Sequence, residues 1–205
     1  MAMIADLEGH FRGLVPTRQE LLRRLEEEAA QERIPIVGPV VGELLFILAT
    51  AMGARDILEL GTATGYSTIY LAGAAAAVGG RVISLEWEAE MARRARQNLV
   101  LAGLGAHAEV RVGDAQELMA QMTGPFDLVF MDIDKEGYLP ALLMIQRLLR
   151  LGGLLVVDNT GFQGAAPFNL ALHQAPGWRA VNLLAFLPQH SPEHDGLALA
   201  VKIAD

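Results

Sequence analysis

The sequence predicts an α/β fold in which a mostly parallel, seven-stranded sheet carries helices on both faces. Short apolar, β-branched segments alternate with helical segments through most of the chain, which is typical of parallel strands joined by crossover helices. The strand segments are continuously apolar, which indicates that both faces of the sheet are covered. Near the C-terminus two strand segments follow each other with no helix between them, so the last strand should run antiparallel to the others.

The predicted strands span 56–60, 81–86, 108–113, 126–132, 153–159, 178–186 and 196–204. The predicted helices span 17–32, 40–52, 66–77, 88–102, 115–121 and 138–150. The first helix has the spacing of a capping box, with Thr17 at its start and Glu20 three positions later. The most apolar run of the chain contains Pro35, Pro39 and Glu43, so we interpret it as a loop followed by a buried helix and not as a membrane span.

Composition favours one globular domain over residues 1–205, because 52% of the residues are hydrophobic and the length is ordinary for a single domain. The net charge of −8 argues against nucleic acid as a partner, since phosphate binding normally needs a basic face. The absence of cysteine excludes disulfides and thiolate zinc sites. The N-terminus has no apolar signal core, so we expect a cytoplasmic protein with no membrane partner.

A glycine turn follows the first predicted strand, where ligands bind in open α/β sheets. Gly61 and Gly65 bracket this turn, and Glu86 ends the second strand, where a carboxylate can accept hydrogen bonds from ribose hydroxyls. Asp114, after the third strand, could meet an adenine edge. Glu59 would repel a pyrophosphate but attract an amine, so the turn favours a nucleoside with an ammonium or sulfonium group. A plain strand–turn–helix that uses glycine for packing is the alternative.

Carboxylate and carboxamide side chains end the fourth and fifth predicted strands. Asp132 follows the fourth strand, and Asp158 and Asn159 follow the fifth. If these strands are neighbours, the three side chains meet as hard oxygen ligands, which suit Mg²⁺ or a similar cation. An Asx turn at Asp158 and Asn159 is the alternative.

Lys135 lies three residues after Asp132 and has two interpretations. It is either a counter-ion for Asp134 or Glu136, or a general base, because a neighbouring divalent cation disfavours the ammonium form of a lysine. The histidines show no ligand spacing, and His190 and His194 are expected at the surface.

Three segments together resemble the cation-dependent, S-adenosylmethionine-using O-methyltransferases, the family of catechol and caffeoyl-CoA O-methyltransferases. These segments are LELGTATGYS, FDLVFMDIDKEGY and VVDN. The resemblance extends from about residue 35 to the C-terminus. It implies a Rossmann-like methyltransferase fold with a catalytic core over 35–205, a helical lid over 1–34 and, as is common in the family, a homodimer.

The resemblance also implies roles for individual residues. The implied S-adenosylmethionine contacts are Val37, Glu59, Gly61, Ser67, Glu86, Asp114, Ala115 and Asp132. Among these, Glu59 would lie near the amino group and Ser67 near the carboxylate. The implied ligands of Mg²⁺, or of Ca²⁺ or Mn²⁺, are Asp132, Asp158 and Asn159. Lys135 would be the catalytic base, with Asp132 beside it in the catalytic site.

The implied reaction is methyl transfer to a small phenolic acceptor with vicinal hydroxyls. The segment LPQHSPEHDG is longer than the L-P-x-x-D-G hairpin of bacterial members, so the acceptor is left open. A nicotinamide-dependent oxidoreductase would share the glycine turn, but it should show G-x-G-x-x-G and has no use for the predicted metal ligands. A nucleic-acid methyltransferase is opposed by the acidic charge. A non-catalytic cofactor-binding module on the same fold is the remaining alternative.

Overall fold

A computed structural model describes residues 2–205 and shows one seven-stranded sheet with the order β3-β2-β1-β4-β5-β7-β6. The strands are β1 Asp56–Leu60, β2 Arg81–Glu86, β3 Ala108–Val112, β4 Phe126–Met131, β5 Leu149–Val157, β6 Trp178–Phe186 and β7 His194–Lys202. The first five strands pair in parallel, and β7 is antiparallel to both β5 and β6. The predicted fold class is therefore confirmed, including the reversed last strand.

Eight α-helices surround the sheet in the part of the chain that the structure describes. They are α1 Leu7–Arg12, α2 Glu20–Glu32, α3 Gly38–Met52, α4 Tyr66–Ala77, α5 Ala89–Leu101, α6 Ala115–Gln121, α7 Tyr138–Leu148 and α8 Ala166–Gln174. Helix α3 is the apolar run that was expected to be a buried helix. Within residues 2–205, no helix combines the length and the apolar character needed to cross a membrane.

Alternate strand residues divide the core into two layers. Ile57 packs with the apolar sides of α2 to α5, whereas the next residue, Leu58, packs with α6 to α8. Both side chains are fully buried. Burying one such side chain stabilises the fold by about 1.5–3 kcal/mol, so the continuous apolar strands fix the sheet between its two helical layers.

Some predicted boundaries are wrong. The capping box at Thr17 does not form, because α2 begins at Glu20 and its N-cap Gln19 makes no side-chain cap. The neighbouring Arg18 instead donates to Glu26 and to the carbonyl oxygen of Pro16, which holds this segment outside the helix. Helix α7 ends at Leu148 because Leu149 adopts an extended backbone and begins β5.

The crevice between β1 and β4 positions the site, since the chain order of the strands reverses there. The Gly61 backbone has φ +92°, and a Cβ atom added to it would lie 1.9 Å from the carbonyl oxygen of Asp132. The Asp132 amide donates to the Leu60 carbonyl oxygen at 2.8 Å. The glycine turn after β1 is therefore in backbone contact with the segment after β4.

Candidate active site

A cavity of about 490 Å³ lies at the carboxyl ends of β1, β2, β4 and β5. The predicted site residues that line it are Val37, Gly61, Ser67, Glu86, Asp114, Ala115, Asp132, Lys135, Asp158 and Asn159. Asp134 also lines it. Residues singled out for a nucleoside and residues singled out for a cation thus face one space, which supports treating them as a single site.

Glu86 holds the glycine turn in place. One carboxylate oxygen of Glu86 accepts hydrogen bonds from the backbone N–H groups of Thr62 at 3.1 Å and Ala63 at 2.8 Å. Its other oxygen accepts from the Glu88 N–H at 2.9 Å. Each carboxylate oxygen has two lone pairs, so Glu86 retains acceptor capacity toward the cavity beyond this structural role.

Glu59 lies beneath the cavity and is not among its lining residues. It is fully buried, and its Oε2 accepts hydrogen bonds at 2.5 Å from the hydroxyls of Thr68 and Ser84. Its Oε1 has no hydrogen-bond partner within residues 2–205. Burial raises the pKa of Glu59 to about 7. Glu59 therefore has one buried oxygen without a hydrogen-bond partner of good geometry beneath the glycine turn, where the nearby Ser67 hydroxyl partly offsets the effect of burial on its pKa.

Asp114 and Ala115 stand at the start of α6. The Oδ1 of Asp114 accepts from the N–H groups of Gln116 at 2.9 Å and Glu117 at 3.0 Å, so Asp114 is the N-cap of this helix. The sequence interpretation missed this capping role. The side chain is exposed and borders the cavity, so its second oxygen remains available to a ligand.

The predicted base, Lys135, is paired with the predicted metal ligand Asp132. The Lys135 Nζ atom donates to Asp132 Oδ1 and to the Ile133 carbonyl oxygen, both at 3.0 Å. It lies 5.3 Å from the ring centroid of Tyr138 and 5.9 Å from that of Phe162. Burial and the charge of Asp158 raise the pKa of Asp132, and Lys135 opposes this increase. Lys135 is thus held by a carboxylate and two aromatic rings at the edge of the cavity.

Asp158 and Asn159 follow β5 and are buried. The Oδ1 of Asp158 accepts from the Asn159 N–H at 2.8 Å, and the Asp158 carbonyl oxygen accepts from the Tyr138 hydroxyl at 2.9 Å. Asn159 has φ 52°, a left-handed conformation that Asn tolerates well. Its Nδ2 donates to Asp195 at 2.7 Å, which leaves its Oδ1 to face the cavity as an acceptor.

The structure corrects the expectation for His190. This residue is not at the surface: it is 6% exposed, and its Nε2 lies 2.8 Å from Asp158 Oδ2. Burial lowers its pKa, but the Asp158 carboxylate more than offsets this, so the pKa of His190 lies above its ordinary value. His194, in contrast, is exposed as expected. The length of the segment between β6 and β7 was the sequence signal for His190, since it marked this loop as unusual.

Cavity residues that the sequence interpretation missed include Trp87, which is 80% exposed and stands beside Glu86. Asp195 was also missed, although it orients Asn159 from below the cavity surface. Trp87 is a single aromatic residue after β2, and Asp195 is a single acid within β7, so neither carries a spacing signal that distinguishes it from an ordinary surface residue.

The donor set fits a hard cation in its chemistry. Asp132, Asp158 and Asn159 present carboxylate and amide oxygens to one cavity, and the orientation of Asn159 exposes its oxygen rather than its nitrogen. Within residues 2–205, no group of three or more His, Cys, Asp and Glu stands in the arrangement of a metal site. The two carboxylates are turned toward protein nitrogens, Asp132 to Lys135 and Asp158 to His190.

Known proteins resemble this chain in sequence over most of its length. A family model described as O-methyltransferase matches residues 15–172. A catechol O-methyltransferase of Niastella koreensis is 36% identical over 183 residues, which cover 80% of this chain and 81% of that protein. A catechol O-methyltransferase of Mycobacterium tuberculosis is 45% identical over 119 residues, which cover 58% of this chain and 54% of that protein.

Solved structures agree with the sequence matches. The O-methyltransferase TomG from Streptomyces achromogenes, crystallised in complex with S-adenosylmethionine (SAM), has a TM-score of 0.85 at 29% identity, with 98% of this chain and 100% of TomG covered. An O-methyltransferase from Bacillus cereus in complex with S-adenosylhomocysteine (SAH) has a TM-score of 0.85 at 30% identity, with 96% of each chain covered. On the family match, the shared fold and the site at the strand ends, this chain belongs to the O-methyltransferase family.

Proposed function

We propose that the chain transfers the methyl group of SAM to a hydroxyl oxygen of a small, catechol-like acceptor, with a hard divalent cation holding the acceptor. The observation that carries this proposal is the single cavity that joins the glycine turn after β1 to the oxygen donors after β4 and β5. The names of the catechol O-methyltransferases in Niastella and Mycobacterium support the acceptor class.

The residues around the glycine turn would hold SAM. Bound SAM supplies an electrophilic methyl group on a sulfonium. Ser67 lies in the first turn of α4 and lines the cavity, as does Val37 at the start of α3. The free Oε1 of Glu59 would accept a hydrogen bond from the amino group, and Glu86 would accept from the ribose hydroxyls.

Replacing Glu59 tests this placement of the amino group. The pKa of Glu59 is about 7 in the folded chain, against an ordinary value of 4.5. The folded chain therefore binds the Glu59 proton more tightly than the unfolded chain does, and the stability that this proton contributes is lost as pH rises from about 4.5 through 7. Glu59→Gln removes the cost of burying an ionised carboxylate. Above pH 7 we therefore expect the variant to have a higher thermal midpoint, with a gain in unfolding free energy of up to about 3 kcal/mol. We also expect it to bind SAM at least tenfold more weakly.

Thermal unfolding at pH 4.5 and pH 8, together with calorimetric titration of SAM, would check this prediction. Glu88→Gln is the matched control, because Glu88 is exposed and lies outside the cavity lining. A Glu59→Gln variant that gains stability at pH 8 but binds SAM as tightly as the wild type would remove Glu59 from the cofactor site.

Asp132, Asp158 and Asn159 would hold the divalent cation, with Mg²⁺ as the first candidate and Ca²⁺ or Mn²⁺ as others. The bound cation supplies Lewis-acid polarisation of the acceptor oxygens and a template that orients two vicinal hydroxyls. Three protein oxygens would satisfy only part of the coordination of such an ion, and two adjacent hydroxyls could supply further oxygens, so a diol and not a single hydroxyl is the expected acceptor.

Lys135 would take the proton from the reacting hydroxyl. Lys135 and Lys202 are the lysines of this chain, and its other basic side chains are arginines and five histidines, of which His190 is already paired with Asp158. Arginine stays protonated and cannot act as a base, so lysine beside the predicted metal ligands favours a chemical role. Holding methyl donor and acceptor in one cavity supplies much of the rate, since orientation of two reactants can contribute about 7–11 kcal/mol.

A methyl-transfer screen tests the proposed function. We expect vicinal diphenols to be methylated with SAM and Mg²⁺, and expect EDTA to abolish turnover, with recovery when Mg²⁺ is restored. Phenol and resorcinol are the matched controls, because neither presents two adjacent hydroxyls. Equal methylation of catechol and resorcinol, or full activity in EDTA, would contradict the metal-held diol.

A further inference from the structure

Glu26, on helix α2, joins two walls of the active-site cavity through one carboxylate. Its Oε1 accepts a hydrogen bond from the Tyr66 hydroxyl at 2.6 Å, and Tyr66 lines the cavity at the start of α4. The guanidinium of Arg18 donates to both oxygens of Glu26, at 2.9 Å from Nε to Oε1 and at 2.7 Å from Nη2 to Oε2. The same Nη2 donates at 2.9 Å to the side-chain oxygen of Gln189, which lies in the loop between β6 and β7. Glu26 therefore contacts α4 directly and the β6–β7 loop through Arg18.

The pair of Arg18 and Glu26 is better shielded from water than an ordinary surface ion pair. Both side chains are 16% exposed, and the planar guanidinium meets the carboxylate with two of its nitrogens. On the same helix, Arg24 and Glu28 are 48% and 39% exposed and 3.4 Å apart, which is the kind of exposed pair that contributes little. The shielded pair can hold its neighbours in place, and the exposed pair is its natural control.

The Tyr66 contact fixes the first turn of α4, which has no side-chain cap of its own. Tyr66 is 2% exposed, and a buried hydroxyl that loses its partner costs free energy, so the Tyr66 hydroxyl stays where Glu26 lies. The next residue, Ser67, also lines the cavity and is the proposed contact of the SAM carboxylate. The position of Glu26 therefore sets where the first turn of α4 meets the cavity.

The Gln189 contact fixes a strained part of the β6–β7 loop. Gln189 has φ 68°, a left-handed conformation that is costly for this residue type and persists where the surroundings fix it. Two residues later, Ser191 lines the active-site cavity and also a second cavity that Arg18 and Glu26 line. Arg18 therefore holds the loop where the loop forms part of the wall of the active site.

We propose that Glu26 is a positioning residue for methyl transfer, which sets the SAM side of the cavity through Tyr66 and the acceptor side through Arg18 and the β6–β7 loop. This inference rests on the proposed function. The loop is the acceptor side because His190, next to Gln189, lies 2.8 Å from Asp158, one of the proposed cation ligands. Glu26 and Arg18 lie outside the cavity lining, so they act on binding and not on the chemical step.

The test removes one branch at a time. Tyr66→Phe deletes only the hydroxyl, and we expect it to bind SAM about tenfold more weakly in calorimetric titrations, as for the loss of one hydrogen bond to a charged group. Arg18→Met should raise KM for catechol about tenfold for the same reason, with SAM affinity within about twofold of wild type. Glu26→Ala should show both losses, with kcat within about threefold of wild type. Arg24→Met should match the wild type in every measurement.

Hydrogen–deuterium exchange follows the loop without any turnover. The Gln189 amide donates to Glu193 and the His190 amide to the Leu187 carbonyl oxygen. We expect both amides to exchange at least about fivefold faster in Arg18→Met, because the loop opens locally more often, and at the wild-type rate in Tyr66→Phe. Tyr66→Phe and Arg18→Met carry the test if Glu26→Ala does not fold.

Two results would overturn the positioning role. One is an Arg18→Met variant with wild-type loop exchange and wild-type KM, and the other is a Tyr66→Phe variant that binds SAM as tightly as the wild type. If the wild type methylates vicinal diphenols and the variants match it, only this inference fails. If the wild type methylates none of them while SAM affinity and loop exchange change as expected, the proposed acceptor fails and the two contacts of Glu26 keep their role.

Discussion

Lys135→Ala should lower the turnover number by about 10²–10⁴-fold, the usual contribution of a positioned general base, while SAM binds within about twofold of wild type. The reason is that the Nζ atom bonds to Asp132 at 3.0 Å and to the Ile133 carbonyl oxygen, and to no residue of the glycine turn. Steady-state kinetics with catechol and calorimetric titration of SAM would separate the two effects.

Lys135→Arg provides the matched comparison. Arginine keeps the positive charge beside Asp132 but cannot accept a proton at ordinary pH. If charge pairing were the only role of Lys135, the arginine variant would retain most of the activity. We expect it to be nearly as slow as the alanine variant, and recovery of more than a third of wild-type turnover would show that Lys135 is a counter-ion.

Asp158→Asn should reduce divalent-cation binding by at least 100-fold and turnover by at least 10³-fold together. Asp158 is fully buried between the Asn159 N–H and His190, so the substitution changes charge and ligand strength with little change in volume. Cation titration of the EDTA-treated protein and kinetics over a range of Mg²⁺ concentrations would measure both losses.

Asp127→Asn is the control for Asp158. Asp127 is a second carboxylate of the sheet, partly buried where Asp158 is fully buried, and it pairs with Arg150 at the opposite end of β4. Its replacement should lower the thermal midpoint and leave cation binding and turnover unchanged. An Asp158→Asn enzyme that works at wild-type rate in EDTA would rule out Asp158 as a metal ligand in the reaction.

The fold could be predicted because the apolar strands and the helices between them are local patterns. Strands β1 and β2 and helices α4 and α6 match their predicted bounds, since turn residues delimit them. Helix α8 was not predicted, because the segment after Asn159 contains glycines and Pro167 and lacks a clear apolar period. The start of α2 was wrong because long-range contacts of Arg18, and not Thr17, determine the chain path there.

The site could be predicted as far as it depends on strand ends. Residues that follow β1, β2, β4 and β5 converge because parallel strands bring their carboxyl ends to one edge. His190 could not be placed this way, since it reaches Asp158 from a loop at a distant point in the sequence. Asp114 is both a helix cap and a cavity residue. The sequence alone could not predict both roles, because either one explains an aspartate before a helix.

The contact between Gly61 and the Asp132 carbonyl oxygen has a consequence for how such enzymes can diverge. No side chain fits at that point, so the turn after β1 and the segment after β4 keep a fixed backbone contact as long as the crevice is folded. New acceptors must therefore be accommodated by changes elsewhere, in the N-terminal arm and in the segment between β6 and β7. The contact thus sets the spacing of the two proposed binding regions, and a change of acceptor would need substitutions that leave this backbone contact in place.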